Sequence, residues 1–314
     1  MKEKIAIIGA GLMGRGLAHM FALAGHQVNI YDAFTEALSA AKKNICVDLK
    51  LAVEAGLIGD DQAEEAKARI TPQVDLKEAA EGVRLIIECV PEKMELKQSI
   101  FKELDAVCPK SVILASNTSV MSITEIASTS DHKSRIVGTH FWNPPHLIPL
   151  VEVVQTQDTD PAVVEKTMAI LAGAGKKPIH VKKDVPGFVA NRMQHALWRE
   201  AFHILDEGIA DAETIDEAVR FSFGLRLPQL GPMENADLIG LDLTLDIHNY
   251  ILKYLADNKE PSIFLKEAVR EGLLGFKSNG QGFQSWSNKD MKASRDNLSK
   301  YLLEAAVRRK KAAG

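Results

Sequence analysis

The chain is short of cysteine, of excess basic charge and of long apolar runs, and each shortage removes a class of protein. Three of 314 residues are cysteines, Cys46, Cys89 and Cys108. An odd count without a CxxC spacing argues against a disulfide framework and fits reduced thiols in a cytoplasmic protein. Lys+Arg 38 against Asp+Glu 42 gives a net charge of −4, without the basic stripe of a nucleic-acid or membrane-surface binder. No apolar run approaches the roughly 18 residues that cross a bilayer. Met1-Lys2-Glu3-Lys4 leads into a short apolar segment with no signal-peptide pattern. The nine histidines form no HExxH or similar spacing, so no metal ligand set is read, a pairing of His140 with His146 included. What remains is an ordinary globular composition, 46% hydrophobic and 25% charged. At this length a single core is exceeded, since cores stop growing near ~250–300 residues.

The first half of the chain alternates. Ile5–Ile8, Gln27–Tyr31, Leu85–Val90, Ser111–Leu114, Ile136–Thr139 and Leu150–Gln155 are strand-like runs. Between them lie helical patterns, among them Leu12 to Leu23, Thr35 to Ala55, Met94 to Val107 and Pro161 to Ala174. Such alternation predicts an α/β fold, a Rossmann-type, doubly wound and mainly parallel sheet. After Val181 the period changes at the joint Lys182-Lys183-Asp184-Val185-Pro186-Gly187. Beyond it Phe188 to Asp206, Ala212 to Phe221, Glu234 to Asp257 and Ser262 to Glu271 read as helices. We therefore expect a nucleotide-binding domain over residues 1–183 and an all-α domain over 184–314. The helices carry wide apolar faces of the kind that a second subunit covers. The basic cluster Arg308 to Lys311 reads as a solvated helix end.

Gly9-Ala10-Gly11-Leu12-Met13-Gly14 follows a predicted strand and opens a predicted helix. In that context GxGxxG is a dinucleotide fingerprint: Gly9 turns, Gly11 lets a pyrophosphate approach, and Gly14 permits close helix–strand packing. Leu12 and Met13 begin the helix whose N-terminus faces the anion. Asp32 ends the second strand 18 residues past Gly14. A carboxylate there accepts from ribose hydroxyls and repels a 2′-phosphate, which favours NAD over NADP.

Further polar residues gather at strand ends, where ligands of open α/β sheets bind. Glu88 lies in an apolar strand, where a carboxylate is either paired or reaches water at the strand end. Pro91-Glu92-Lys93 opens the following loop, and Ser116-Asn117-Thr118-Ser119 follows the next strand as ligand donors or as a helix cap. Pleat alternation puts Leu150, Glu152 and Val154 on one face. Glu152 there needs a donor, and His140 stands 12 residues earlier across a Pro-rich turn. A carboxylate behind an imidazole fixes its tautomer and equips it to take an alcohol's proton. By spacing alone His140 is equally a satisfied core histidine. Asn191 reads as a helix cap or as a substrate ligand.

Taken together, Gly9–Gly14, Ser116–Ser119, His140-Phe141-Trp142-Asn143-Pro144, Leu150-Val151-Glu152-Val153 and Pro186–Arg192 resemble the L-3-hydroxyacyl-CoA dehydrogenase family. Their order and spacing match from about Lys4 to Trp286. Gly275 to Phe283 looks like that family's C-terminal glycine-rich signature. The resemblance implies His140 as general base, Glu152 as its orienting partner, and Ser119 and Asn191 on the reacting oxygen and substrate. It implies an NAD site lined by Asp32, Glu92, Lys97, Asn117 and Lys277, and a homodimer built through the helical domain. Members acting on acyl-CoA carry NPVPxMxLVE and a short GxPMGP turn. This chain has Asn143-Pro144-Pro145-His146-Leu147-Ile148-Pro149-Leu150-Val151-Glu152 and a longer turn from Gly224 to Pro232. Both look more like relatives acting on small free acids, such as carnitine and gulonate 3-dehydrogenases and a pyridine-carboxylate dehydrogenase. In that turn Arg226 is a candidate clamp for a substrate carboxylate, or a surface arginine. The expected substrate is a small polar 3-hydroxy acid; a 3-hydroxyacyl-CoA thioester and a non-catalytic NAD-binding role stay open.

Overall fold

Short β-branched runs separated by amphipathic helices cannot bury both faces of each strand unless the helices cover the sheet from both sides. The computed structural model, which describes residues 2–313, has this arrangement. The elements are β1 (Lys4–Ile8), α1 (Leu12–Leu23), β2 (Gln27–Tyr31), α2 (Thr35–Glu54), α3 (Asp60–Ala68), β3 (Ile70–Gln73), α4 (Leu76–Ala80), β4 (Leu85–Glu88), α5 (Met94–Val107), β5 (Ile113–Ser116), α6 (Ile123–Ile126), β6 (Ile136–Phe141), β7 (Leu150–Val154), α7 (Pro161–Gly173) and β8 (Lys177–Val181). The sheet order is β3-β2-β1-β4-β5-β6-β7-β8. Strands β1 to β6 run parallel, β7 is antiparallel to β6, and β8 is parallel to β7. The order reverses between β1 and β4, which makes the crevice at their carboxyl ends the switch point for ligand binding.

Alternation along the strands builds two cores. Ile5 and Ile7 point to the side of Leu17, Phe21 and Leu49, and Ala6 and Ile8 to the side of Phe101, Leu104 and Phe188. At the entry to β6, buried Arg135 donates through Nη2 to the Asp105 carboxylate at 2.6 Å and through Nη1 to the Pro109 carbonyl at 2.6 Å. That clamp fixes the strand that carries His140.

The remaining elements are helical: α8 (Ala190–Asp206), α9 (Ala212–Arg220), α10 (Pro232–Ile239), α11 (Leu241–Ile251), α12 (Ile263–Arg270) and α13 (Asn288–Ala313). The chain divides into two compact units, one of residues 1–192 with 298–314, the other of residues 193–297. Within the second unit Phe202 stacks on Phe283 at 5.1 Å, and Phe276 meets Trp286 edge-on. Leu238, Leu241 and Leu245 of α10 and α11 are each 60% or more exposed. Among the described residues no helix is long and apolar enough to cross a membrane.

Several boundaries differ from the sequence reading, each for a local reason. The edge strand β3 and the outer strand β8 were not anticipated; each contains a proline, Pro72 or Pro178, and few fully buried residues. β5 ends at Ser116 rather than Leu114, and β6 continues to Phe141, so that His140 lies inside a strand. The single helix expected from Glu234 to Asp257 is broken at Gly240, whose φ is +98°. The helix expected from Phe188 starts at Ala190, because Phe188 adopts φ +48°. The basic helix end is not simply solvated: Arg309 donates to the Leu147 carbonyl at 2.6 Å and Lys310 to the Leu57 carbonyl at 2.7 Å.

A Cβ on Gly14 would come within 1.7 Å of the Gly9 carbonyl oxygen, whereas one on Gly11 would meet nothing within 4 Å. Gly14→Ala is therefore expected to cost ~1–3 kcal/mol of unfolding free energy. Gly11→Ala should stay within about 0.5 kcal/mol of the parent. Urea titrations of the two variants check this, and equal midpoints would contradict it.

Candidate active site

The glycine loop closes onto the strand beside it. Gly9 holds φ +105°, and a Cβ there would press on the Cys89 carbonyl at 2.9 Å. Gly11 occupies the N-cap position of α1 with no side-chain cap. The first N–H groups of α1 therefore lack a capping side chain, and the space over Gly11 is open, an arrangement suited to an anionic pyrophosphate. Asp32 stands just past β2. Its Oδ2 accepts from the Ala10 N–H at 2.8 Å and its Oδ1 from the Phe34 N–H at 3.1 Å. Each oxygen has a second lone pair for a ribose hydroxyl. The residues present thus fit a dinucleotide.

At the next two strand ends lies a polar ring, buried at Glu88, Lys97, Ser116 and Thr118 and exposed at Glu92. Glu88, at the end of β4, is paired rather than open to water. Its Oε1 accepts from Lys97 Nζ at 2.8 Å and from the Val90 N–H at 2.7 Å, and its Oε2 from Ser116 Oγ at 2.7 Å. Burial still raises the Glu88 carboxyl above its ordinary range against the pull of Lys97, Ser116 and Val90. Lys97 is itself buried and also faces Glu92 at 3.4 Å. Glu92 closes the ring by accepting from Thr118 Oγ1 at 3.0 Å and from the Ser119 N–H at 2.9 Å. Asn117 is fixed above it, with Oδ1 accepting from the Phe141 N–H at 3.0 Å. Lys97 therefore spends its charge on protein carboxylates, and the ring holds Asn117 and Ser119 in place.

The antiparallel register pairs His140 directly with Glu152, so both side chains share one face of the sheet. His140 Nδ1 lies 2.7 Å from Glu152 Oε2. Glu152 Oε1 accepts from the Val189 and Ala190 N–H groups at 2.9 and 3.0 Å. Glu152 is fully buried and His140 nearly so. Burial alone would raise the Glu152 carboxyl, but the His140, Ala190 and Val189 donors outweigh it and hold it below its ordinary range. Phe188 stands one residue before those two amides in its left-handed conformation. That strain is of order 1–3 kcal/mol. Hydrogen bonds to a charged group return roughly 1.5–3 kcal/mol each, so two of them offset it. Trp142 and Phe188 flank the imidazole with ring centroids at 5.4 and 5.7 Å. Among the described residues nothing bonds His140 Nε2.

Asn191 Nδ2 donates to the Ser119 carbonyl at 3.0 Å, and the Ser119 hydroxyl has no protein partner among the described residues. The structure thus brings Ser119, His140, Glu152 and Asn191 together with the glycine loop, Asp32, Glu92, Lys97 and Asn117 in one unit. Arg226 and Lys277 lie in the other unit. Arg226 follows the turn Phe223–Leu225 with an exposed side chain, and Lys277 ends the turn Gly275–Lys277, also exposed. Sequence reasoning gave Phe188, Val189, Ala190 and Trp142 no site role of their own, although the family resemblance ran through both stretches that hold them. The Pro186-Gly187 pair was the one available signal for the turn that presents the two amides.

A dinucleotide loop beside a carboxylate-held imidazole is the equipment of a nicotinamide-dependent alcohol dehydrogenase. The model of the family described as "3-hydroxyacyl-CoA dehydrogenase, NAD binding domain" matches residues 4–185, and that of "3-hydroxyacyl-CoA dehydrogenase, C-terminal domain" matches residues 187–286. The chain belongs to the 3-hydroxyacyl-CoA dehydrogenase family, and it is an NAD-dependent oxidoreductase acting on a CH–OH group. It is 33% identical over 309 residues to a 5-formyl-3-hydroxy-2-methylpyridine 4-carboxylate 5-dehydrogenase of Mesorhizobium japonicum, covering 98% of each chain. It is 37% identical over 285 residues to a 3-hydroxybutyryl-CoA dehydrogenase of Bradyrhizobium diazoefficiens, covering 90% of this chain and 95% of the relative. A solved structure of a 5-formyl-3-hydroxy-2-methylpyridine 4-carboxylic acid 5-dehydrogenase, described as an NAD+-dependent dismutase, superposes with a TM-score of 0.89 at 32% identity over 98% of both chains.

Removing one partner of a buried ion pair strands the other. Lys97→Met is expected to lower the unfolding free energy by about 3 kcal/mol, the lower end for such pairs because Glu88 can take up a proton. Lys97→Met combined with Glu88→Leu should regain most of that loss. Denaturant titration decides it; a single variant as stable as the parent would contradict the ring's structural role.

Proposed function

We propose that the chain interconverts a 3-hydroxyl and a 3-keto group on a small free carboxylic acid, with His140 as the acid–base residue. The His140–Glu152 hydrogen bond at 2.7 Å carries this reading. An ionised Glu152 only accepts, so the shared proton belongs to His140 Nδ1. Nε2 then keeps its lone pair for the substrate hydroxyl proton. Phe188 and Trp142 flank the ring. The Ser119 hydroxyl and the Asn191 amide orient the reacting oxygen. Gly9, Gly11, Leu12, Met13 and Gly14 would hold the pyrophosphate of NAD and Asp32 its adenosine ribose; Glu92 and Asn117 would line the rest of the site, with Lys97 fixing Glu92 in place. The chemistry that NAD supplies when bound is hydride acceptance.

Three observations support a free acid. The segment Asn143–Leu150 and the long turn Gly224–Pro232 depart from the acyl-CoA pattern. Arg226 in that turn offers the planar fork that a carboxylate fits. The match to the pyridine-carboxylate enzyme spans 309 residues and so takes in most of α13, which lies past the family model's end at residue 286. A CoA thioester remains the second reading, because the hydroxybutyryl-CoA enzyme is the more identical of the two relatives, 37% against 33%.

The same proposal assigns cofactor binding to residues 1–183 and substrate binding and dimerisation to residues 184–314. The exposed leucines of α10 and α11 would meet their counterparts in a homodimer. The three cysteines are free, as befits the reducing cytoplasm.

His140→Gln is expected to bind NAD as the parent does and to lose at least ~100-fold in turnover. Rates within a few-fold of the parent would remove the imidazole from the chemistry. Arg226→Met should raise KM for small 3-keto acids by ~10–100-fold, the worth of a charge-assisted pair, with kcat little changed. Kinetics on acetoacetyl-CoA and on small 3-keto acids side by side test the substrate class; a strong preference for the thioester ends the free-acid reading.

A further inference from the structure

One cluster of chemistry-bearing side chains plays no part in the site described above. His19 lies midway along α1, Asp48 on α2, and His146 in the segment joining β6 to β7. One ligating atom from each, two imidazole nitrogens and a carboxylate oxygen, lie within 4.8 Å of one another. The two imidazole rings are 4.5 Å apart. The Nδ1 atoms of both His19 and His146 are buried without a hydrogen-bond partner, and His19 is only 2% exposed. Two adjacent orphaned nitrogens are costly in a protein interior, where nearly every buried polar atom finds a partner.

The surroundings hold the cluster together before any ligand arrives. Gly16, one turn ahead of His19, lets the Pro145 ring lie against α1, where a Cβ would come within 2.6 Å of Pro145 Cγ. Lys176 Nζ donates to the Pro145 and Ile148 carbonyls on either side of His146. With no protein partner on either Nδ1, each imidazole can turn one nitrogen lone pair toward a ligand. The ammonium of Lys176 is committed to those two carbonyls, and the Asp48 carboxylate offsets part of the positive charge.

We propose that His19, Asp48 and His146 form a divalent transition-metal site, with zinc as its best-fitting ion. Two imidazoles and one carboxylate are a borderline donor set that suits zinc and cobalt; magnesium and calcium require oxygen ligands throughout. A fourth position is left for water. The site shares no residue with the His140–Glu152 pair. It joins α1 and α2 to the segment between the two strands that carry that pair, so its role is to clasp that segment.

The full-length protein is stripped with a chelator and titrated with zinc by calorimetry, with cobalt as the spectroscopic probe. One equivalent of zinc per chain, a raised melting temperature and visible ligand-field bands from cobalt are the expected results. His146→Gln and Asp48→Asn, whose side chains are only partly buried, should each weaken zinc binding at least ~100-fold. Loss of an outer-shell partner alone costs ~10–100-fold. Both variants should keep the parent's circular dichroism and NAD affinity. No stoichiometric zinc binding by the parent overturns the proposal. Zinc binding that survives unchanged in both variants overturns it equally, because the donors would then be other side chains.

Discussion

A carboxylate removed from water has to be answered by donors, and in this chain the demand of Glu152 organises everything near it. Placing Glu152 on an inner face of β7 requires a cross-strand partner, and the antiparallel register supplies His140. It also requires donors for the second oxygen, and these are two backbone amides that point inward because Phe188 accepts a strained φ. The imidazole is thereby held by one nitrogen, and the other is left for chemistry. The start of α8, the end of β6 and the turn between Pro186 and Ala190 all follow from satisfying one buried charge.

A second buried carboxylate does similar work under the glycine loop. Glu88 draws Lys97, Ser116 and the Val90 amide inward, and Glu92 completes the ring through Thr118 and Ser119. Buried ion pairs contribute little net stability, but they penalise every arrangement that separates the partners. Here the result is a rigid floor for Asn117 and Ser119 at the edge of the sheet where the cofactor domain meets its ligand. The two networks touch at Asn117, which accepts from the amide of Phe141, the residue after His140.

Much of this was legible in the residues. Strand and helix periods located β1, β2, β4, β6 and β7, and the context of GxGxxG identified the dinucleotide loop. The His140–Glu152 pair was readable because the pleat rule put Glu152 on an apolar face, where it needed a donor. Other features depend on contacts that sequence distance conceals. β3 and β8 are short, carry proline and are only partly buried, so neither a full apolar run nor clean alternation marks them. The partner of Glu88 sits nine residues on, across a loop and on a helix, where neither the period of 2 nor that of 3.6 applies. Phe188 reads as an apolar helix residue until the demand of Glu152 for amides is known. His19 and His146 are 127 residues apart, and only the packing of Pro145 against Gly16 joins them.

The direct measurement of the central interaction is the protonation state of the His140 imidazole, read by nitrogen-15 NMR on histidine-labelled protein at neutral pH. The account predicts that the neutral imidazole carries its proton on Nδ1, hydrogen-bonded to Glu152, with Nε2 bare. A proton on Nε2 with Nδ1 bare would mean that Glu152 carries the shared proton. The imidazole would then have no lone pair to offer an alcohol, and the account would be wrong.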